Sequence, residues 1–146
     1  MDYNEIVIKW SKLYPVNKLE GISNLDINTD NVLYQIYGDS HIYGRNVLLY
    51  IGISTNAENR LKAHINGVFG YVNNLKVSIG TTNFNGKLEV PESILIANHK
   101  PSFNKNFIHD ISEEAKNIGK VIIINNGTNL MLKTCCTNYW WIETIH

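Results

Sequence analysis

Asn46–His64, NVLLYIGISTNAENRLKAH, is the stretch from which the rest of the chain is read. Val47, Leu48, Leu49, Tyr50, Ile51 and Ile53 form a nearly continuous apolar run, the pattern of a strand covered on both faces. Gly52 interrupts it, and a glycine inside a strand often marks close approach by another backbone, a helix or a ligand. Thr55 and Glu58 have the T-x-x-E spacing of a capping box, which predicts a helix starting near Asn56 or Ala57. On that helix Ala57, Leu61 and Ile65 make an apolar stripe, while Arg60 and His64, four apart, share one edge. A guanidinium and an imidazole are thereby expected beside the strand that carries Tyr50. Taken singly, none of the three implies a function. Arg60 reads as a solvated helix residue, His64 as structural or exposed, and Tyr50 as core with its hydroxyl at the rim.

Composition sets the frame around this stretch. A chain of 146 residues, 44% apolar and 18% charged, suits one folded domain with a real core and argues against disorder. No apolar run approaches the roughly 18 residues of a membrane span, and Met1–Tyr14 shows no secretory leader. Cys135 and Cys136 are the only cysteines; adjacent, they suggest no disulfide scaffold, zinc site or CxxC redox motif, and a reducing cytoplasm is expected. Net charge is zero, which is not the footprint of a general nucleic-acid binder. The distribution is less even: Arg45 to His109 holds seven Lys/Arg against three acids, the flanks six against ten. A modestly basic centre between acidic ends is compatible with a phosphate-bearing partner.

Working outward, Tyr3, Ile6, Val7, Trp10, Leu13 and Tyr14 recur at 3–4 spacing and predict a short N-terminal amphipathic helix ending before Pro15. Val16–Asp30 is polar and reads as irregular. Val32–Tyr37, VLYQIY, predicts a strand, and a turn within Gly38–Asn46 folds it back onto the Val47 strand as an antiparallel hairpin that brings Tyr34 near Tyr50. Tyr71–Ile79 is a third predicted strand and Thr81–Gly86 a loop. Val90–Lys100 predicts a helix between Pro91 and Pro101. Glu92, in its first turn, suits the helix dipole, but it also lies near the inward face, where a carboxylate needs a base or a metal ion. A short polar helix is expected at Ser112–Asn117. Val121–Asn125 and Leu130–Trp141 predict a terminal hairpin turning near Asn126-Gly127, with Trp140 and Trp141 packed on the body.

Over residues 31–104 the chain resembles the GIY-YIG endonuclease family. The first signature stands as Val32-Leu33-Tyr34-Gln35-Ile36, the second as Tyr50-Ile51-Gly52 followed by Ser54. Arg60 comes ten residues after Tyr50 and His64 one turn later; Glu92 matches the family's glutamate and Asn104, twelve residues on, its asparagine. Val32 replaces the usual first glycine, and the sixteen-residue step from Tyr34 to Tyr50 exceeds the usual hairpin, marking an insertion around His41 and Arg45 that is expected to touch substrate.

The resemblance implies an α/β (α+β) domain with a central three-stranded antiparallel sheet flanked by helices. The N-terminal helix and C-terminal hairpin would be additions to a core of about 31–108 within one domain, 1–146. It also implies a DNA endonuclease that uses one Mg²⁺ or Mn²⁺ held by Glu92, the ion keeping most of its waters. Arg60 would grip the developing negative charge. Tyr34 would deprotonate or orient the attacking water, helped by His64, because a phenol of pKa about 10 is otherwise a poor base. Tyr50 would position water or phosphate, Asn104 would brace Glu92 or the substrate, and Gly52, Ser54, Arg45, Lys62 and Lys100 are the expected substrate contacts. Double-stranded DNA is the expected partner, in a compact restriction-type or mobile-element enzyme that could act as a homodimer. Two other functions fit the same residues: a catalytically silent DNA-binding module, and an assembly part pairing through the terminal tryptophans.

Overall fold

The computed structural model describes residues 3–15, 31–127 and 131–142; Val16–Asp30, read above as irregular, lies outside them. β3 (Val32–Ser40) and β4 (Gly44–Ser54) pair antiparallel, with Tyr34 opposite Gly52 and Ile36 opposite Tyr50. β5 (Lys76–Thr82) adds antiparallel to the other side of β3.

The sheet does not stop there, and the expected three-stranded sheet flanked by helices is overturned. The sheet has seven strands in the order β4–β3–β5–β1–β6–β7, with β2 (Tyr14–Pro15) also against β5. β1 (Asn4–Trp10) occupies the segment read as an N-terminal helix. Ile6, Ile8 and Trp10 alternate into the core, so the period is 2 and the 3–4 spacing was a coincidence of Ile6, Val7 and Trp10. Its β-branched centre pairs antiparallel with β5 and parallel with β6 (Val121–Gly127), from Asn4 opposite Val121 to Trp10 opposite Gly127. β6 is therefore an inner strand. Its antiparallel neighbour β7 (Cys135–Thr137) has three residues, and Asn126 and Gly127 belong to β6 rather than to a turn.

Among the described residues, three helices and one 3₁₀ turn cover the sheet. α1 (Ala57–Asn66) and the 3₁₀ turn (Val68–Tyr71) lie over one face, closing Leu61 and Phe69 against Val32, Tyr34, Ile36, Val77 and Ile79. α2 (Glu89–His99) and α3 (Glu113–Asn117) lie over the other, with Ile94, Leu95, Ile96 and Ala115 against Leu33, Ile51 and the β1–β6 strands. The cap of α1 is Asn56, whose side chain accepts the Asn59 N–H at 3.1 Å, rather than Thr55. The third strand begins at Lys76 rather than Tyr71, because Asn74 turns the chain at a left-handed φ of 57°. Trp141 packs on the core and donates to the His109 carbonyl, whereas Trp140 is 88% exposed and does not pack on the body.

Candidate functional site

The site forms where β4, the sheet's edge, passes between the two helical layers. Tyr34 on β3 faces Gly52 on β4. A Cβ at Gly52 would stand 2.5 Å from the Cζ and hydroxyl oxygen of Tyr34 and 2.8 Å from the Tyr50 ring. The missing side chain is what lets the Tyr34 phenol cross the edge strand. Gly52 thus makes room for a neighbouring ring, a packing role the sequence reading left open among several.

α1 completes one wall. Leu61 is buried and anchors the helix, which turns His64 inward, its Nε2 3.0 Å from the Tyr34 hydroxyl. The rings pack closely: Tyr34–Tyr50 centroids are 6.1 Å apart, Tyr50–His64 5.0 Å, and His64–Phe69 5.3 Å, with Phe103 stacked on Phe69 at 4.9 Å. Arg60, one turn earlier and exposed, lies beside both phenols, its charge acting on them and on His64. Burial and the Arg60 charge push His64 down to about 4, so its imidazole is neutral near pH 7. Burial, reinforced by Tyr50, holds the Tyr34 phenol well above its usual range, with Arg60 pulling the other way.

The opposite wall comes from α2 and the segment after it. Glu92 is half-buried, with the Ile53 backbone, next to Gly52, close enough to favour its charged form. Burial first, then the neighbouring Glu89 carboxylate, push Glu92 up to about 7 against the pull of Arg60 and the Ile53 N–H. A cleft of about 280 Å³ opens beside it, lined by Tyr50, Glu92, Phe103, Asn104 and Lys105 among others. Asn104 hydrogen-bonds to β4 rather than to Glu92. It clamps the edge strand, accepting the Ile51 N–H at 3.0 Å and donating to the Ile51 carbonyl at 2.9 Å.

Tyr34, Tyr50, Arg60, His64, Glu92 and Asn104 thus gather around Ile51–Ile53 of β4. The other expected contacts do not. Ser54 accepts the Asn56 N–H and faces a separate hollow beyond Thr55. Arg45 stands at the far end of β4. Lys100 caps α2 in a left-handed conformation and donates to the Ile108 carbonyl, and the Lys62 side chain lies outside the described residues. The sequence reading missed Glu89, Phe69, Phe103 and Lys105; Glu89, three residues before Glu92 on the same helix, was the one a spacing argument could have found.

Among the described residues no group of three His, Cys, Asp or Glu side chains is placed to hold a metal. A fully protein-ligated cation is therefore not built here. One carboxylate with raised proton affinity, a second acid beside it and an adjoining cleft do suit a hard cation that keeps most of its waters. Comparison of the chain with protein-family models, with curated proteins and with solved structures gave no match.

Proposed function

We propose that this protein is a divalent-metal-dependent DNA endonuclease working at the β4 edge. The observation that carries the reading is the meeting of Tyr34, His64, Tyr50 and Arg60 from one face with Glu92 from the other. Glu92 would hold Mg²⁺ or Mn²⁺, which when bound polarises a phosphate oxygen and relieves charge on the leaving 3′ oxygen. The residues of the chain do the rest. Arg60 leaves the two phenols for the incoming phosphate and follows the charge that builds in the transition state. Its departure opens the way to the hydroxyl of Tyr34, a residue that is otherwise buried. The same phosphate offsets the guanidinium that depresses His64, so the imidazole becomes a better base. Tyr34 can then take the water's proton at its oxygen while passing its own to His64 Nε2 across the 3.0 Å contact. Tyr50, half-buried on the cleft, orients the water, and Asn104 holds the strand on which Tyr50 and Gly52 sit.

The test is incubation of the full chain with mixed genomic DNA and Mn²⁺ or Mg²⁺, followed by sequencing of the ends. Cut DNA bearing 5′-phosphate and 3′-hydroxyl ends is expected from wild type, and intact DNA from Tyr34→Phe. Intact DNA from wild type with both metals contradicts the proposal. Cutting both strands of a duplex suits a pair of sites, and Trp140, 88% exposed, is where a second copy would pair. Sedimentation of Trp140→Ala tests this, an unchanged mass dismissing pairing there. With both thiols free, the cytoplasm is the compartment this reading assigns.

A further inference from the structure

The step from Tyr34 to Tyr50 that looked like an inserted loop is instead a lengthened hairpin. β3 and β4 run to nine and eleven residues, and only His41–Tyr43 form the turn. That turn is held firmly. The Ser40 hydroxyl accepts the N–H groups of both Ile42 and Tyr43 at 3.1 Å. Asp39 accepts the Asn46 N–H at 3.1 Å and the Asn74 side-chain amide at 2.6 Å. Gly44, at φ 99°, supplies the left-handed conformation the turn needs. What this braced tip displays is apolar: Ile42 is 81% and Tyr43 67% exposed, between His41 and Arg45. A tip serving only to reverse the chain would carry small polar residues.

The surface between tip and cleft is continuous. A hollow of about 480 Å³ behind Tyr43 is lined by Val47, Leu48, Lys100, Ser102 and Met131. The chain from Lys100 to Lys105 then runs directly into the cleft beside Glu92, tied to the β4 edge by the Phe103 N–H on the Leu49 carbonyl. Arg45, Lys100 and Lys105 are exposed along this track, and Asp39 at its outer end is engaged by Asn46 and Asn74. Cationic and aromatic groups on a rigid, projecting element match a polyanion whose stacked bases admit an apolar wedge.

Building on the nuclease reading, we infer that duplex DNA lies along the outer edge of β4, with Ile42 and Tyr43 as a wedge in its groove. Seven residues separate Tyr43 from Tyr50, so at about 3.3 Å per residue the tip reaches at most about 23 Å from the cleft. At about 3.4 Å per base pair that places the wedge no more than seven base pairs from the scissile phosphate.

The experiment measures binding of wild type and an Ile42→Ser/Tyr43→Ser double variant to a duplex of about 30 base pairs and to a short hairpin duplex of about 4 base pairs, by fluorescence anisotropy without divalent metal. The short duplex cannot fill the cleft and reach the tip together. Wild type should bind the long duplex more tightly, and the double variant should lose about 10- to 100-fold on the long duplex only, the worth of one stacked or wedged aromatic. An unchanged melting temperature shows that the variant is folded, since both side chains are exposed. Equal loss on both lengths, or none, overturns the inference while leaving cleavage by wild type to stand. A change in sedimenting mass with DNA affinity intact assigns the tip to self-association and also overturns it. Length-dependent binding by a wild type that never cuts DNA supports the track and sinks the nuclease reading instead. Failure of wild type to bind any duplex sinks both.

Discussion

Replacing Glu92 by Gln should raise stability and abolish cleavage together. Burial and Glu89 lift the carboxyl from an ordinary 4.5 to about 7. The folded protein therefore holds this proton more tightly than the unfolded chain does. The stability Glu92 contributes is full below about 4.5 and is lost as the pH rises through about 7. At about 1.4 kcal/mol per pH unit, the gap corresponds to about 3 kcal/mol by pH 8. Gln keeps the size and a polar oxygen at this place and carries no charge to bury. The variant should thus match wild type near pH 4.5 and exceed it by about 2–3 kcal/mol at pH 8, a rise of roughly 8 °C in melting temperature for a chain of this size. His64, pushed down to about 4, works oppositely: its neutral form favours folding above about 6.5 and loses that advantage as the pH falls toward 4. It does so equally in both proteins, so the difference between them isolates Glu92. The assay is thermal denaturation of both from pH 4.5 to 8.5, without divalent metal. A Glu92→Gln protein less stable than wild type at pH 8 refutes the reasoning, because the carboxylate would then be favourably held without a cation.

Three further perturbations follow from the same geometry. Gly52→Ala drives a methyl to within 2.5 Å of the Tyr34 hydroxyl, so it should destabilise by about 1–3 kcal/mol in denaturant titration and break the Tyr34–His64 contact; wild-type stability would show that the ring has room to spare. Asn104→Ala leaves the Ile51 N–H and carbonyl without their clamp and should lower stability by about 2–3 kcal/mol, whereas an unchanged melting temperature would mean that water replaces it freely. Mn²⁺ binding must displace the Glu92 proton, so calorimetric affinity should fall about tenfold per pH unit below about 7; a flat affinity from pH 8 to 5.5 would place the ion elsewhere.

The readable part of the fold was the part whose signals are local. VLYQIY and NVLLYIGIS announce strands through near-continuous β-branched and aromatic runs, and Pro91 with Pro101 brackets α2. β1 was misread because Ile6, Val7 and Trp10 satisfy a helical spacing as well as Ile6, Ile8 and Trp10 satisfy an alternating one. Its choice is made by β6, at the other end of the chain, through a parallel pairing that no short window contains. The seven-stranded sheet was hidden for that reason. At the site, residue types and spacings marked Tyr50, Arg60, His64 and Glu92, while Tyr34 and Asn104 were marked by the family resemblance. The clamp of Asn104 on Ile51, the passage of Tyr34 over Gly52 and the braced hairpin tip are tertiary facts.

On the proposed reading a divalent cation binds at Glu92, beside the phenols and Arg60. Crystals of the full chain soaked in Mn²⁺ and measured for anomalous scattering test it most directly. The expected result is a peak about 2.1 Å from a Glu92 carboxylate oxygen, inside the cleft lined by Tyr50 and Asn104, with the remaining ligands water. A peak found only elsewhere, with the Glu92 carboxylate bonded to protein groups alone, would contradict it.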